Sequence, residues 1–205
     1  MGEQEEVRPV LRLASASPRR RQLLELIGVP HVVTPADIDE TPRAAEAGVD
    51  YVLRLAREKA AAVRARHADL PVLAADTTVQ VDGHILEKPL NEDDCIRMLC
   101  LLSGRTHQVF TGLCVTGTAP PALTVATSEV TFRKIPRDEM RAYWASGEPR
   151  GKAGAYAIQG FGAVFVSNIA GSYTGVMGLP LFETAEALRQ HGVPVWHGAS
   201  RGAAQ

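Results

Sequence analysis

Two segments far apart in the chain carry residue types suited to phosphate and metal chemistry: Leu13-Ala14-Ser15-Ala16-Ser17-Pro18-Arg19-Arg20 and Ala74-Ala75-Asp76-Thr77. The first reads as a strand that turns directly into a helix, gathering the hydroxyls of Ser15 and Ser17 and the guanidiniums of Arg19 and Arg20 at the turn. Backbone N–H groups at a helix start, with the helix dipole behind them, favour an anion. Guanidinium forks match phosphate oxygens. The pattern GxxxxGK[ST] is missing, so this is not a P-loop; a capped helix with solvated arginines is the plainer alternative. The second segment reads as a buried strand ending in the carboxylate of Asp76, at the place where α/β proteins put ligands. A carboxylate there can bind Mg²⁺ or orient an attacking water; it can also simply cap a turn.

Further candidates are weaker singly. Lys88, in Glu87-Lys88-Pro89, offers a point charge for phosphate or is an exposed hairpin lysine. Asp39 and Glu40, in the polar stretch Asp37 to Pro42, are possible metal ligands or ordinary loop acids. The run Gly151 to Gly160 is glycine-rich, as expected where backbone approaches a ligand or turns tightly. Within it Gln159 carries a primary amide, which offers both donors and acceptors to a base edge.

The elements that must position these groups follow from pattern. Val10 to Leu13 reads as a short strand. Ser17 as N-cap and Pro18 at the first position open a helix that Gly28 stops. Val29 to Val33 is a second strand. A helix from about Val49 to Arg66 buries Val49, Val52, Leu53, Ala56, Ala60 and Val63, with Lys59 at the edge of that stripe. Val72 to Ala75 is a buried strand, and Asp82-Gly83 marks a hairpin. Asn91 caps a helix ending at Ser103-Gly104. Strands at Gln108 to Val115 and Leu123 to Lys134, a helix at Arg137 to Ala145, a strand at Ala163 to Ile169 and a helix at Leu181 to Gln190 complete the chain. Early alternation followed by a strand-rich middle predicts a mixed α/β sheet.

Composition narrows the function. A chain of 205 residues, 45% hydrophobic, can bury a real core, and its formal charge of −1 argues against a general nucleic-acid or membrane-surface binder. No apolar run is long enough to span a bilayer. Cys95, Cys100 and Cys114 lack CxxC spacing and read as reduced, packed thiols, as in a cytoplasmic protein. The six histidines form no ligand spacing.

From about Val10 to His191 the chain resembles the Maf proteins, nucleoside triphosphate pyrophosphatases once described as septum-formation inhibitors. The blocks that carry the resemblance are LASASPRR, the Asp39-Glu40 loop, LAREKA, AADTTV, LEKP, LSGRTHQVFTGL, SGEPRGKAGAYAIQG and GSYTGVMGLPL, all in the family's order. The resemblance implies an α/β fold with a mixed, elongated β-sheet flanked by helices, in two lobes with a central cleft, similar to inosine triphosphatase. It implies a single domain, taken over 9–192, and a homodimer, while the ends at 1–8 and 197–205 read as flexible tails. It further implies hydrolysis of the α–β phosphoanhydride of a nucleotide with Mg²⁺ or Mn²⁺.

In that scheme Arg20, Lys59 and Lys88 neutralise the triphosphate and Ser15 and Ser17 help to bind it. Glu40 and Asp76 hold metal or water, with Asp76 as general base. One branch of the family, acting on 7-methyl-GTP, has Trp, Gln and Glu where this chain has Arg19, Thr77 and Gln159; these three follow the branch that prefers dTTP and UTP. A neutral amide suits a pyrimidine imide edge, whereas a carboxylate suits a cationic methylated guanine. The rival expectation is a nucleotide-binding regulator of cell division and septum formation with little turnover.

Overall fold

A computed structural model describes residues 8–196. Strand β1 (Leu11–Leu13) leads through Ala14–Ser17 into helix α1 (Pro18–Leu26), and strand β2 (His31–Val33) returns parallel to β1. Helix α2 (Gly48–Arg66) precedes the long strand β3 (Val72–Val81), which turns at Asp82-Gly83 into β4 (His84–Leu86). Asp82 and Gly83 both have positive φ, 51° and 78°, as a two-residue hairpin of right-twisted strands requires. Helix α3 (Glu92–Leu102) starts where Asn91 Oδ1 accepts the Asp94 N–H at 2.9 Å. Strands β5 (Thr106–Thr116) and β6 (Ala122–Phe132) form a long antiparallel pair, followed by α4 (Arg137–Ala145). Two 3₁₀ turns (Ala153–Ala155 and Phe161–Phe165), β7 (Val166–Ala170), α5 (Tyr173–Met177) and α6 (Leu181–Gln190) end the described chain.

The seven strands make one mixed sheet in the order β2-β1-β3-β5-β6-β7, with β4 also paired to β3. The first two pairings are parallel and the rest antiparallel. Side chains alternate between the faces of β3. Val72 and Ala74 pack with Ala56, Ala60 and Val63 of α2 on one face. On the other face the apolar residues form two separate clusters. Leu73 and Ala75 join Leu23 and Leu24 of α1 and Leu188 of α6. Val79 and Val81 join Leu99 of α3 and Met140 and Tyr143 of α4. The long strands therefore bridge two lobes, with a cleft left between them.

Three expectations need correction. Asp76 does not end its strand: β3 runs on to Val81, and Asp76 stands opposite Gly112 of β5. Thr77, Thr78 and Val79 are β-branched and suit the strand. What stops near Asp76 is the neighbouring strand. Pairing of β1 with β3 reaches Leu73, and pairing of β4 begins at Val79, so the edge between them opens into the cleft.

The second correction concerns α2, whose buried face runs through Tyr51, Val52, Leu55, Ala56, Lys59, Ala60 and Val63. Lys59 is inside this face, 6% exposed, while Val49 and Leu53 flank it. Third, the strand expected from Ala163 starts at Val166, because a 3₁₀ turn occupies Phe161–Phe165. Short α5 was not anticipated. The expected tails lie, Arg8 apart, outside the described residues.

Candidate active site

A cleft of about 940 Å³ lies between the lobes, and of the residues singled out from the sequence all but Asp39 line it: Ser15, Ser17, Arg19, Arg20, Glu40, Lys59, Asp76, Thr77, Lys88 and Gln159. They fall into three groups, each delivered by a different part of the fold.

The first group lies on the α2 face of the sheet. Lys59 Nζ donates to Asp76 Oδ1 at 2.7 Å and to Glu40 Oε1 at 2.8 Å. Burying an ammonium is costly unless it is paired and hydrogen-bonded, and these two carboxylates supply both. Lys88 Nζ, mostly exposed, lies 3.6 Å from Glu40 Oε2. The Tyr51 hydroxyl donates to the Glu40 backbone carbonyl at 2.9 Å, tying the acid's loop to α2. Partial burial pushes the Glu40 carboxyl up, but hydrogen bonds and charge from Lys59, then Lys88, outweigh it and hold the group below the usual glutamate range. Asp39 points elsewhere, its Oδ1 accepting the Thr41 N–H at 2.9 Å within its own loop.

The second group lies across β3. Arg20 donates through Nε to the Gly178 carbonyl at 2.7 Å, through Nη1 to Ser15 Oγ at 3.2 Å and through Nη2 to Thr77 Oγ1 at 3.1 Å. Thr77 Oγ1 is 2.9 Å from Thr111 Oγ1, which donates to the Gly175 carbonyl at 2.8 Å. A guanidinium only donates and a carbonyl only accepts, so the direction of every bond in this chain is determined. Thr77 accepts from Arg20 and donates to Thr111, and Thr111 donates to Gly175. Ser17 occupies the N-cap position of α1 without capping it. Ser15 Oγ accepts the Ser17 N–H at 3.1 Å, and the Ser17 hydroxyl remains at the cleft.

The third group surrounds Gln159, whose side chain is exposed at the cleft. Arg19 Nε is buried there with no protein hydrogen-bond partner. Burial pulls Arg19, Arg20 and Lys152 below their ordinary values; the like charge of Arg19 lowers Lys152 further, and Asp76 partly offsets the effect on Arg20. These cations are thus only partly compensated by the protein, and a polyanion in the cleft would relieve them.

Four participants escaped the sequence reading. Thr111, Glu148 and Lys152 sit within the quoted blocks and Tyr51 on the predicted 49–66 helix, but nothing in their spacing says which side chain turns inward. Glu40 and Asp76 could hold a divalent cation through hard oxygens. Among the described residues no group of three or more His, Cys, Asp or Glu side chains forms a cage, and none of the helices is long and apolar enough to cross a membrane. Cys95 and Cys114 are buried free thiols, whereas Cys100 is exposed.

The Maf-like protein family matches residues 10–191. A dTTP/UTP pyrophosphatase of Methylobacillus flagellatus is 52% identical over 185 residues, covering 89% of this chain and 93% of that protein. A dTTP/UTP pyrophosphatase of Bordetella parapertussis is 50% identical over 196 residues, covering 91% and 95%. A nucleoside triphosphate pyrophosphatase of Haemophilus ducreyi is 47% identical over 190 residues, covering 90% and 96%.

Proposed function

The chain belongs to the Maf-like protein family, and from that premise we propose that it is a nucleoside triphosphate pyrophosphatase acting on dTTP and UTP. It hydrolyses the α–β phosphoanhydride, releasing the nucleoside monophosphate and pyrophosphate. The observation that carries the proposal is the buried Lys59–Asp76 pair at the open edge of β3, with the Arg20 network on the opposite face of the same strand. One short stretch of strand thereby presents a carboxylate and a guanidinium to the same cleft.

The chain's own residues divide the work. Lys59 occupies Asp76 Oδ1, so Oδ2 is the oxygen left to accept a proton from water. That water forms a bond to the α-phosphorus as the bond from phosphorus to the α–β bridging oxygen breaks, and pyrophosphate leaves with the bond's electrons. Arg20, Lys59 and Lys88 offset the negative charge that grows on the phosphates, the kind of electrostatic stabilisation that commonly supplies most of a rate gain. Ser15 and Ser17 add hydroxyls at the start of α1. Arg19, Thr77 and Gln159 set the preference for the pyrimidine, the amide of Gln159 facing its imide edge; modified pyrimidine triphosphates fit the same logic.

The donor set suits Mg²⁺ or Mn²⁺. Glu40 and Asp76 are two carboxylates sharing one ammonium, and Mg²⁺ is usually bound by one or two carboxylates with substrate phosphates and waters completing its shell. When bound, such an ion would polarise phosphoryl oxygens and neutralise charge. A homodimer and a single domain spanning 9–192 belong to the same proposal and rest on the family resemblance, and a cytoplasmic location rests on the cysteine spacing.

Purified protein incubated with Mg²⁺ and dTTP, UTP, CTP, GTP or 7-methyl-GTP tests the function. Pyrophosphate and monophosphate are measured separately, and pyrophosphate is expected chiefly from dTTP and UTP. Release chiefly from 7-methyl-GTP would keep the reaction and remove the pyrimidine assignment. Binding of nucleotide without turnover would favour a regulatory nucleotide sensor.

A further inference from the structure

The side chain proposed to face the base, Gln159, is not on a helix or a strand. It sits in the segment between two 3₁₀ turns, Ala153–Ala155 and Phe161–Phe165. An exposed amide on such a segment discriminates between bases only if its backbone is held, because a loosely held side chain adapts to either edge.

One carboxylate holds it. Glu148 Oε1 accepts the Tyr143 hydroxyl at 2.7 Å and the Gly162 N–H at 3.0 Å, and Oε2 accepts the Phe161 N–H at 2.9 Å. The Tyr143 oxygen in turn accepts the Ala157 N–H at 3.1 Å. The segment is therefore tied to Glu148 on both sides of Gln159, through Tyr143 before it and directly after it. The approach is so close that a Cβ on Gly160 would stand 2.0 Å from Glu148 Oε2, and one on Gly162 would stand 2.7 Å from the Tyr143 oxygen. Both glycines are required by this clamp. Although burial pushes the Glu148 carboxyl up, the donated hydrogen bonds outweigh it and keep the group ionised, the form that accepts all three.

We infer that Glu148 is a positioning residue for base selectivity, fixing Gln159 against the pyrimidine edge through the Tyr143, Phe161 and Gly162 contacts. This rests on the proposed pyrophosphatase function and on Gln159 as the group that meets the base. The acid lines the cleft beside Arg19 and Lys152, but its three hydrogen bonds run to the segment that carries the amide.

A double-mutant cycle tests it. Glu148→Ala, Gln159→Ala and the double variant are compared with the parent protein by the ratio of kcat/KM for dTTP to that for GTP. Glu148→Ala is expected to lower the ratio about tenfold, the scale on which a single positioned recognition group discriminates, with the loss mainly in KM. In the Gln159→Ala background it should change the ratio no further. Glu148→Gln keeps an acceptor at the Oε1 position and should recover much of the selectivity. Tyr143→Phe removes the hydroxyl's bonds to Glu148 and Ala157 but leaves Glu148 on the Phe161 and Gly162 N–H groups, and should lower the ratio less. These two variants carry the test if Glu148→Ala fails to fold, as judged by thermal unfolding.

An unchanged ratio in Glu148→Ala, with a reduced one in Gln159→Ala, overturns the positioning role and leaves the base assignment standing. Equal losses on removing Glu148 in both backgrounds overturn it too, since the acid then acts independently of Gln159. An unchanged ratio in Gln159→Ala removes the base assignment and the positioning role together.

Discussion

The two ends of the cleft are built on different principles. At the charged end Lys59, Asp76, Arg20 and Thr77 project from α1, α2 and β3, and they hold each other through side-chain hydrogen bonds and ion pairs. At the amide end Gln159 projects from an irregular segment whose backbone is tied to Glu148 and Tyr143. In the proposed function, the chemistry common to all nucleoside triphosphates falls to regular elements, which also carry Arg19 and Thr77, whereas the amide that meets the base falls to a segment whose shape is set from outside. Rearranging the first would disturb the sheet and α2. Rearranging the second would disturb mainly a turn.

If that contrast holds, damage at the charged end should be severe and indifferent to the base. Asp76→Asn retains an oxygen for Lys59 but cannot accept the proton, and turnover of every nucleotide should fall about 10³-fold, within the range for loss of a general base. Pyrophosphate release beside a thermal melt checks this; near-normal turnover in a folded variant would end the assignment. Lys59→Met removes the cation shared by Asp76 and Glu40. Breaking a buried pair leaves an uncompensated charge, so urea unfolding should show a loss of about 3 kcal/mol, the low end of the usual span because Glu40 is 41% exposed. No measurable loss would mean that the pair is hydrated.

Thr111→Val is nearly isosteric and tests whether the hydroxyl chain aims Arg20. It strands the Thr77 hydroxyl and the Gly175 carbonyl, and kcat/KM should fall about tenfold for all substrates alike, the worth of roughly one buried hydrogen bond. A loss confined to dTTP and UTP would instead place the effect in the part Thr77 plays in pyrimidine preference and not in the aim of Arg20.

The amide end has its own sensitivity, to acid. His107 Nε2 lies 2.9 Å from the hydroxyl of Tyr156, which heads the Gln159 segment, and burial pulls the imidazole down to about 4. With the folded value below the unfolded one, the unfolded chain takes up a proton first. Stability is full above the ordinary histidine value near 6.5 and declines as the pH falls toward 4, by up to about 1.4 kcal/mol per unit from this one group. Urea unfolding at pH 7, 6 and 5 should show that decline, and His107→Gln should flatten it. The smallest effect belongs to Gln159→Glu, expected to shift selectivity away from pyrimidines by only about fivefold with turnover largely kept. An unchanged nucleotide profile would count against the amide's role.

How much of this was legible beforehand depends on the residue. Ser15, Arg19 and Arg20 were visible because a hydroxyl-rich turn before Pro18 marks a helix start and leaves two guanidiniums beside it. Asp76 was visible as a carboxylate after an apolar run, but its strand was cut short there, since a lone strand carries no sign of the neighbours that stop beside it. Helical periodicity puts Lys59 at the edge of the apolar stripe, and nothing local in the sequence gives its charge a reason to be buried. The two carboxylates that give that reason come from segments remote in sequence. The helix α5 has only five residues, with a glycine inside, too few for periodicity to reveal, yet its carbonyl at Gly175 and its cap at Gly178 complete the Arg20 network.

Periodicity, turn chemistry and charge placement alone determine that this chain forms a mixed α/β sheet and that cations, carboxylates and an amide are available for nucleotide chemistry. These are local signals, each written within a few turns of helix or one strand. Only the tertiary structure decides that β1 stops and β4 starts on either side of Asp76, that Lys59 is neutralised from two directions, and that Glu148 clamps the segment bearing Gln159. Each is a pairing between groups far apart in the chain, whose free energy exists only once the sheet has brought them within hydrogen-bond reach.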